Sequence, residues 1–163
     1  SEDEFIVSKS DTSGKITYTN RTLMRITGYS EPEMLGKQHN MLRHPDMPRA
    51  VFQLLWDTLS QRQEFFGIVK NMCKDGSHYW VIANITPDFD PDGSLRGYYS
   101  VRRKPHPFAV ETMDAIYRRM LDIERQHGAK EAMTASRAYL DEQLEKTGKA
   151  YTKFVLELNQ GVL

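Results

Sequence analysis

Apolar positions along the chain follow two different periods, and the change between them divides it. Up to Pro105 the apolar runs are short and punctuated. Phe5-Ile6-Val7 and Lys15-Ile16-Thr17-Tyr18-Thr19 read as strands joined by a turn at Asp11-Thr12-Ser13-Gly14. Asn20 suits the cap of a short helix, Arg21 to Ile26, that stops at Gly28. Ser30-Glu31-Pro32-Glu33 starts another, with Ser at the cap, Pro in the first turn and Glu placed to reach back, and it ends at Gly36. Arg49 to Ser60 carries Val51, Leu54, Leu55, Trp56 and Leu59 at helical spacing. Three strands follow, Phe66 to Met72, His78 to Ile85 and Ser94 to Val101, linked by Lys74-Asp75-Gly76-Ser77 and by the segment Pro87 to Gly93.

After Lys104-Pro105-His106-Pro107 no proline occurs and the period becomes helical. Met113, Ile116, Tyr117, Met120 and Ile123 form one stripe, ending near Gly128. Leu140, Leu144, Thr147, Tyr151, Phe154 and Leu158 then step by four and three residues, a seam of period 3.5 interrupted by Gly148. Two helices are expected here, docked either on the first unit or on a second chain. The order of elements implies an α+β fold: a five-stranded antiparallel sheet with short helices over one face, residues 1–104, followed by a C-terminal helical extension, residues 105–163. Such a sheet curls enough to enclose a pocket beneath its helices.

Composition narrows the function. Lys plus Arg and Asp plus Glu are each 22 in a chain of 163 residues, so no global field draws it to nucleic acid or an anionic membrane. The apolar runs are far shorter than the roughly 20 residues that cross a bilayer, and the expectation is a cytoplasmic protein. The single cysteine, Cys73, excludes an intrachain disulfide framework and any cysteine-clustered zinc site. No Ser-His-Asp order, paired carboxylate signature, phosphate loop or metal-ligand spacing appears in a supporting context, and no enzyme is expected.

One stretch asks for an explanation. Asn40-Met41-Leu42-Arg43-His44-Pro45-Asp46-Met47-Pro48 mixes apolar, charged and conformationally fixed residues in a way that suits neither a solvated loop nor a core helix. Pro45 and Pro48 fix φ and keep the segment out of a helix. Arg43 offers a planar fork that can clamp a phosphate or a carbonyl, and His44 and Asp46 can orient it or bind a ligand directly.

Gly14 to Asn20 with Thr27 to Gly36 resembles the N-terminal half of a PAS sensory domain, and Lys74 to Val81 resembles its central hairpin. More narrowly, His39 to Pro48, together with Gly67 to Asn71 and His78 to Asn84, is similar to the PAS domain of bacterial aerotaxis receptors. The resemblance spans roughly residues 3 to 104. It implies a redox or oxygen sensor for signal transduction in chemotaxis, a flavoprotein with FAD between sheet and helices. It assigns flavin binding to Arg43, His44 and Asp46, and the receptors' membrane anchor and signalling region are not expected in this chain. Phe65-Phe66-Gly67 stands where related flavin sensors often carry Trp-Ser-Gly, keeping an aromatic wall without an indole donor. Light-oxygen-voltage sensors place a reactive cysteine where an ungapped match puts His39, so covalent flavin photochemistry is not expected.

The candidate ligand set is therefore Asn40, Arg43, His44, Asp46, Trp56, Phe66, Trp80 and Asn84. Asn84 lies four residues from Trp80 on one strand and shares its face; a flavin's pyrimidine edge would satisfy its amide. Other readings stay open. Arg43 and Asp46 also suit a surface ion pair, Trp56 and Trp80 suit the core, and His44 suits a loop hydrogen bond or an axial position on haem. The alternatives to an FAD sensor are a haem-based gas sensor and a cofactor-free interaction module. The helical extension is expected to engage a homodimer or a partner signalling protein.

Overall fold

Side-chain caps set the element boundaries in the first half of the chain. The computed structural model describes residues 4–161, so the outer ends of the two expected units lie outside the described residues. Strands β1 (Ile6–Ser10) and β2 (Ile16–Thr19) pair through a turn closed by Asp11, whose Oδ1 accepts from the Ser13 and Lys15 amides. Helix α1 (Arg21–Thr27) begins where Asn20 Oδ1 accepts the Leu23 N–H at 3.0 Å. Helix α2 (Glu31–Met34) has the expected capping box, with Glu33 accepting the Ser30 N–H at 2.8 Å. A 3₁₀ turn (His39–Leu42) leads into α3 (Arg49–Ser60). Val51, Leu55 and Leu59 of α3 are buried, but Trp56 is 46% exposed and does not belong to the core stripe.

Strands β3 (Phe65–Met72), β4 (His78–Phe89) and β5 (Leu95–Arg103) complete a five-stranded antiparallel sheet in the order β2-β1-β5-β4-β3. Strand β4 runs through Pro87, which the sequence places in a loop. The reason is local: β3 starts at Phe65 opposite Ile85, so beyond that pair β4 has a neighbour only on the β5 side. A residue without an N–H is tolerated at such an edge.

The outer edge of β3 is closed by other parts of the chain. Lys70 donates its N–H to Met47 Sδ at 3.3 Å and accepts the His44 N–H at 3.4 Å, and Arg43 bridges Asn71. Two residues along, the Tyr117 hydroxyl donates to the Ile68 carbonyl at 2.6 Å. The proline-bearing stretch thus faces a strand edge, with its extended backbone serving as an irregular sixth partner.

Tyr117 belongs to α4 (Pro107–Gln126), the first of three C-terminal helices; α5 (Ala129–Thr147) and α6 (Tyr151–Asn159) follow. The seam read as one stripe is split at Gly148, whose φ of 67° is left-handed and ends α5. Leu140, Leu144, Tyr151, Phe154 and Leu158 are all under 10% exposed and share one core with the sheet. The stripe is covered within the chain and is not left over for a second copy. Tyr117 stacks on Trp80 with ring centroids 6.3 Å apart, Tyr151 stacks on Phe65 at 5.7 Å, and the two hydroxyls lie 2.7 Å apart. Burial pushes both phenols up, Tyr151 to about 12, so both remain protonated donors.

Replacing Tyr117 by Phe keeps the stacking but removes the donor to Ile68 and the link to Tyr151. The expected cost is about 1–3 kcal/mol of unfolding free energy, that of leaving a buried carbonyl without its partner. Urea denaturation measures it, and a change under about 0.5 kcal/mol would mean that the strand edge does not depend on this hydroxyl.

Candidate functional site

Between the sheet and α3 lies a cavity of about 240 Å³, slightly smaller than the roughly 300–1,000 Å³ of typical small-molecule sites. Alternate residues of the strands form one wall: Val69 and Asn71 of β3, Val81, Ala83 and Ile85 of β4, and Tyr98, Ser100 and Arg102 of β5. The opposite wall comes from Phe52, Leu55 and Trp56 of α3, with Gln38, His39, Asn40 and Arg43 at one end. Trp56 meets Tyr98 edge-on at 5.4 Å, which holds the exposed indole over the rim.

Arg102 dominates the electrostatics. It is 3% exposed and has no carboxylate partner among the described residues. Its Nη2 donates to Ser8 Oγ at 2.7 Å and its Nη1 to His39 Nε2 at 3.1 Å, while Nε has no partner. Burial draws its pKa down to about 10, so the group is still cationic at neutral pH. The effective penalty for burying an uncompensated charge is several kcal/mol, on the order of 3–5 when a partner is missing. The nearby Ser100 Oγ is also buried without a partner among the described residues.

His39 completes the cluster. Ser8 accepts from Arg102, so its own proton points at His39 Nε2, 2.9 Å away. Two donors at Nε2 put the ring proton on Nδ1 and leave the ring neutral. Burial, and then the Arg102 charge, bring the His39 pKa down to about 3.

Of the residues singled out in the sequence, Asn40, Arg43 and Trp56 line the cavity. Arg43 lays its guanidinium carbon 3.9 Å from the Phe52 ring centroid. His44 and Asp46 do not reach it. His44 Nδ1 accepts the Asp46 N–H at 3.0 Å, and Asp46 pairs with Lys70 at 3.1 Å, both against the β3 edge. His44 therefore cannot serve as an axial ligand inside the cavity. Phe66, Trp80 and Asn84 lie on the other face of the sheet, correcting the expectation that they face inward. The cavity takes the odd positions of β4, Trp80 stacks beneath α4, and Asn84, opposite Phe66 in register, donates to Glu64 at 3.3 Å. Cys73 is buried with its Sγ 3.2 Å from the Ile26 carbonyl.

Arg102, His39, Ser8, Ser100 and Asn71 were absent from the candidate set. The strand predicted from the sequence ends at Val101, one residue before Arg102, whereas β5 runs to Arg103; with that extension the alternation Tyr98, Ser100, Arg102 places a cation on one face. His39 opens the stretch that carries the family resemblance and stands at the position of another class's cysteine, but nothing local to it signals a buried partner for Arg102.

A family profile described as PAS fold matches residues 16–102, from β2 to the cavity arginine in β5. The chain belongs to the PAS fold family. This PAS domain is 38% identical over 117 residues to the aerotaxis receptor of Escherichia coli (strain K12), a match covering 72% of this chain and 23% of the receptor. It is 37% identical over 97 residues to the nitrogen fixation regulatory protein of Klebsiella pneumoniae, covering 60% of this chain and 20% of that protein. The chain thus spans less than a quarter of either relative. A light-oxygen-voltage domain solved in a study of a flavin analogue shares the fold, with a TM-score of 0.59 at 23% identity over 67% of this chain and 82% of that one. Among the described residues no helix is long and apolar enough to cross a membrane, and no cluster of His, Cys, Asp and Glu is arranged to hold a metal.

The depressed His39 pKa has a sign. Between the unfolded value of about 6.5 and the folded value of about 3, only the unfolded chain binds the proton, so this residue's contribution to stability is lost as pH falls through that window. The His39 ring resonances should stay constant in NMR spectra from pH 8 to 5. Replacing His39 by Gln should flatten the acid side of the stability profile; a titration near neutrality would reject the buried neutral assignment.

Proposed function

We propose that this PAS domain is the sensory part of a cytoplasmic redox- or oxygen-responsive signalling protein, and that its cavity takes the ring system of FAD. The observation that carries the reading is Arg102, a buried cation with an unused donor in a cavity whose α3 wall is apolar and aromatic. A side chain so placed suits a ligand with electron-rich acceptor atoms on one edge and flat apolar faces. Flavin has that character: its pyrimidine edge presents carbonyl and ring-nitrogen acceptors beside a tricyclic body. Arg102, Ser100 and Asn71 on the sheet, with Asn40 and Gln38 at the end of the cavity, would hold the polar edge, and Phe52, Trp56 and Tyr98 the ring. The relatives named above support the reading, as one is an aerotaxis receptor by name.

Bound in the cavity, flavin would supply a redox centre whose charge changes with its electron count. The chain's part is to answer that change. Arg102 favours negative charge at its Nε, and His39 holds the arginine in place without carrying a charge of its own. Arg43 lines the cavity with its side chain and joins β3 through its backbone, so a shift of this residue reaches the edge on which α4 docks. Residues 1–104 then act as sensor and 105–163 as output. A second copy or a signalling partner would meet the outer surfaces of α4–α6, since the inner stripe is covered.

The absorbance spectrum of the purified protein, supplemented with FAD where needed, tests the proposal. Flavin bands are expected, with FAD released on denaturation. Arg102→Met should lose the flavin while keeping its circular dichroism, and Asn84→Ala, altered on the opposite face, should retain it. A Soret band, or no binding at saturating FAD, would reject the flavin reading.

A further inference from the structure

The hydrogen bonds that close the outer edge of β3 include one that ends on sulfur: the Met47 thioether accepts the Lys70 N–H at 3.3 Å. No other sulfur among the described residues accepts one, and Cys73 Sγ is a donor. A thioether is a weak acceptor, and unlike the carbonyl that would ordinarily stand there it can be changed by oxidation. The backbone at this point is stiff. Pro48 follows Met47, Pro45 precedes it by two residues, and the Met47 N–H donates to the His44 carbonyl at 3.0 Å, so the side chain cannot retreat without the stretch that carries it.

Met47 also differs from the other methionines in its access to solvent. Met34, Met113 and Met120 are sealed in the core at 0% exposure, whereas Met24, Met41, Met72 and Met133 are partly exposed. Met47 is 2% exposed, yet it lines a cleft of about 570 Å³ between the proline-bearing stretch and α4. A hydroperoxide, little larger than water, enters a space of that size.

We propose that Met47 is an oxidation-sensitive latch: hydrogen peroxide or an alkyl hydroperoxide converts its thioether to the sulfoxide, and the proline-bearing stretch then leaves the β3 edge. A sulfur lone pair attacks one peroxide oxygen, the S–O bond forms as the O–O bond breaks, and the proton on the attacked oxygen passes to the departing one. Water or an alcohol leaves, and the peroxide gains the two electrons that sulfur loses. The added oxygen needs room between the sulfur and the Lys70 amide, where a contact of 3.3 Å leaves none. A buried sulfoxide without a partner is unfavourable, so the stretch moves outward to solvate it. The His44 N–H to Lys70 carbonyl bond, already long at 3.4 Å, and the bridge between Arg43 and Asn71 go with it. Ile68, two residues along the same edge, holds Tyr117 of α4, so the change arises beside the anchor of the C-terminal helices. This response is separate from the function proposed above and needs no occupant in the cavity.

The experiment exposes the full chain to graded hydrogen peroxide, in the dark and without added flavin, scores each methionine by peptide mass spectrometry and follows backbone amide exchange by NMR. Met47 should oxidise alongside Met24 and Met41, and roughly tenfold faster than Met34, Met113 and Met120. Exchange of the Lys70 amide should quicken by about tenfold in step with the Met47 sulfoxide, as expected for one lost hydrogen bond, and methionine sulfoxide reductases should reverse it. Met47→Leu keeps the apolar volume and removes the sulfur. In that variant the Lys70 amide should exchange at one rate before and after peroxide, although the other methionines still oxidise. Oxidation of Met47 no faster than that of the three sealed methionines would overturn the proposal. So would an unchanged Lys70 amide in the Met47 sulfoxide, or a peroxide response that survives in Met47→Leu. The first two measurements are made on the parent chain and decide the matter even if the variant does not fold.

Discussion

Strand β3 has a neighbour on one side only, and its outer row of amide and carbonyl groups must find partners outside the sheet. Much of the remaining architecture follows from that requirement. Backbone groups of an open edge invite pairing with other chains unless they are covered. Here they are met by the extended stretch before α3 and by a tyrosine hydroxyl from α4. The first of these partners carries Arg43 into the cavity wall, and the second fixes the position of the C-terminal helices. The cavity and the extension are thus joined through one strand edge, although they lie far apart in sequence.

The parts legible in the sequence were those with local causes. Asn20, the Ser30–Glu33 box and the Asp-Gly turns fix their own backbone through side-chain hydrogen bonds a few residues away, and these elements appear where expected. The face presented by β4 had no such local cause. Val81, Ile82 and Ala83 are all buried, because the cavity layer covers one side and α4 covers part of the other. A strand buried on both faces loses the alternation that would tell them apart. Trp80 and Asn84 share a face, as the pleat requires, but it is the face towards α4. The tail seam failed differently: its spacing matched a single helix, yet Gly148 allowed a left-handed turn that brings α6 back onto β3.

The cavity also shows why a charge is hard to foresee from sequence. Arg102 sits at the end of a strand next to Arg103 and Lys104, in what reads as a solvated run. Only pairing with β1 makes it internal: Arg102 lies opposite Ile6, and its guanidinium meets Ser8 on the same strand. The three members of the cluster come from β1, the 3₁₀ turn and β5, so no contiguous motif encodes it.

The cluster has a chemical consequence for any signal passing through the cavity. His39 gives up its proton near pH 3 and Arg102 keeps its own to about pH 10. Across the acidity range of living cells neither group changes state, and the pair presents a constant charge of one positive unit to the cavity. Histidine beside a ligand commonly makes a receptor responsive to acidification. Burial against a permanent cation has the reverse effect, insulating the pocket from metabolic swings in proton concentration so that its occupant alone sets the local charge.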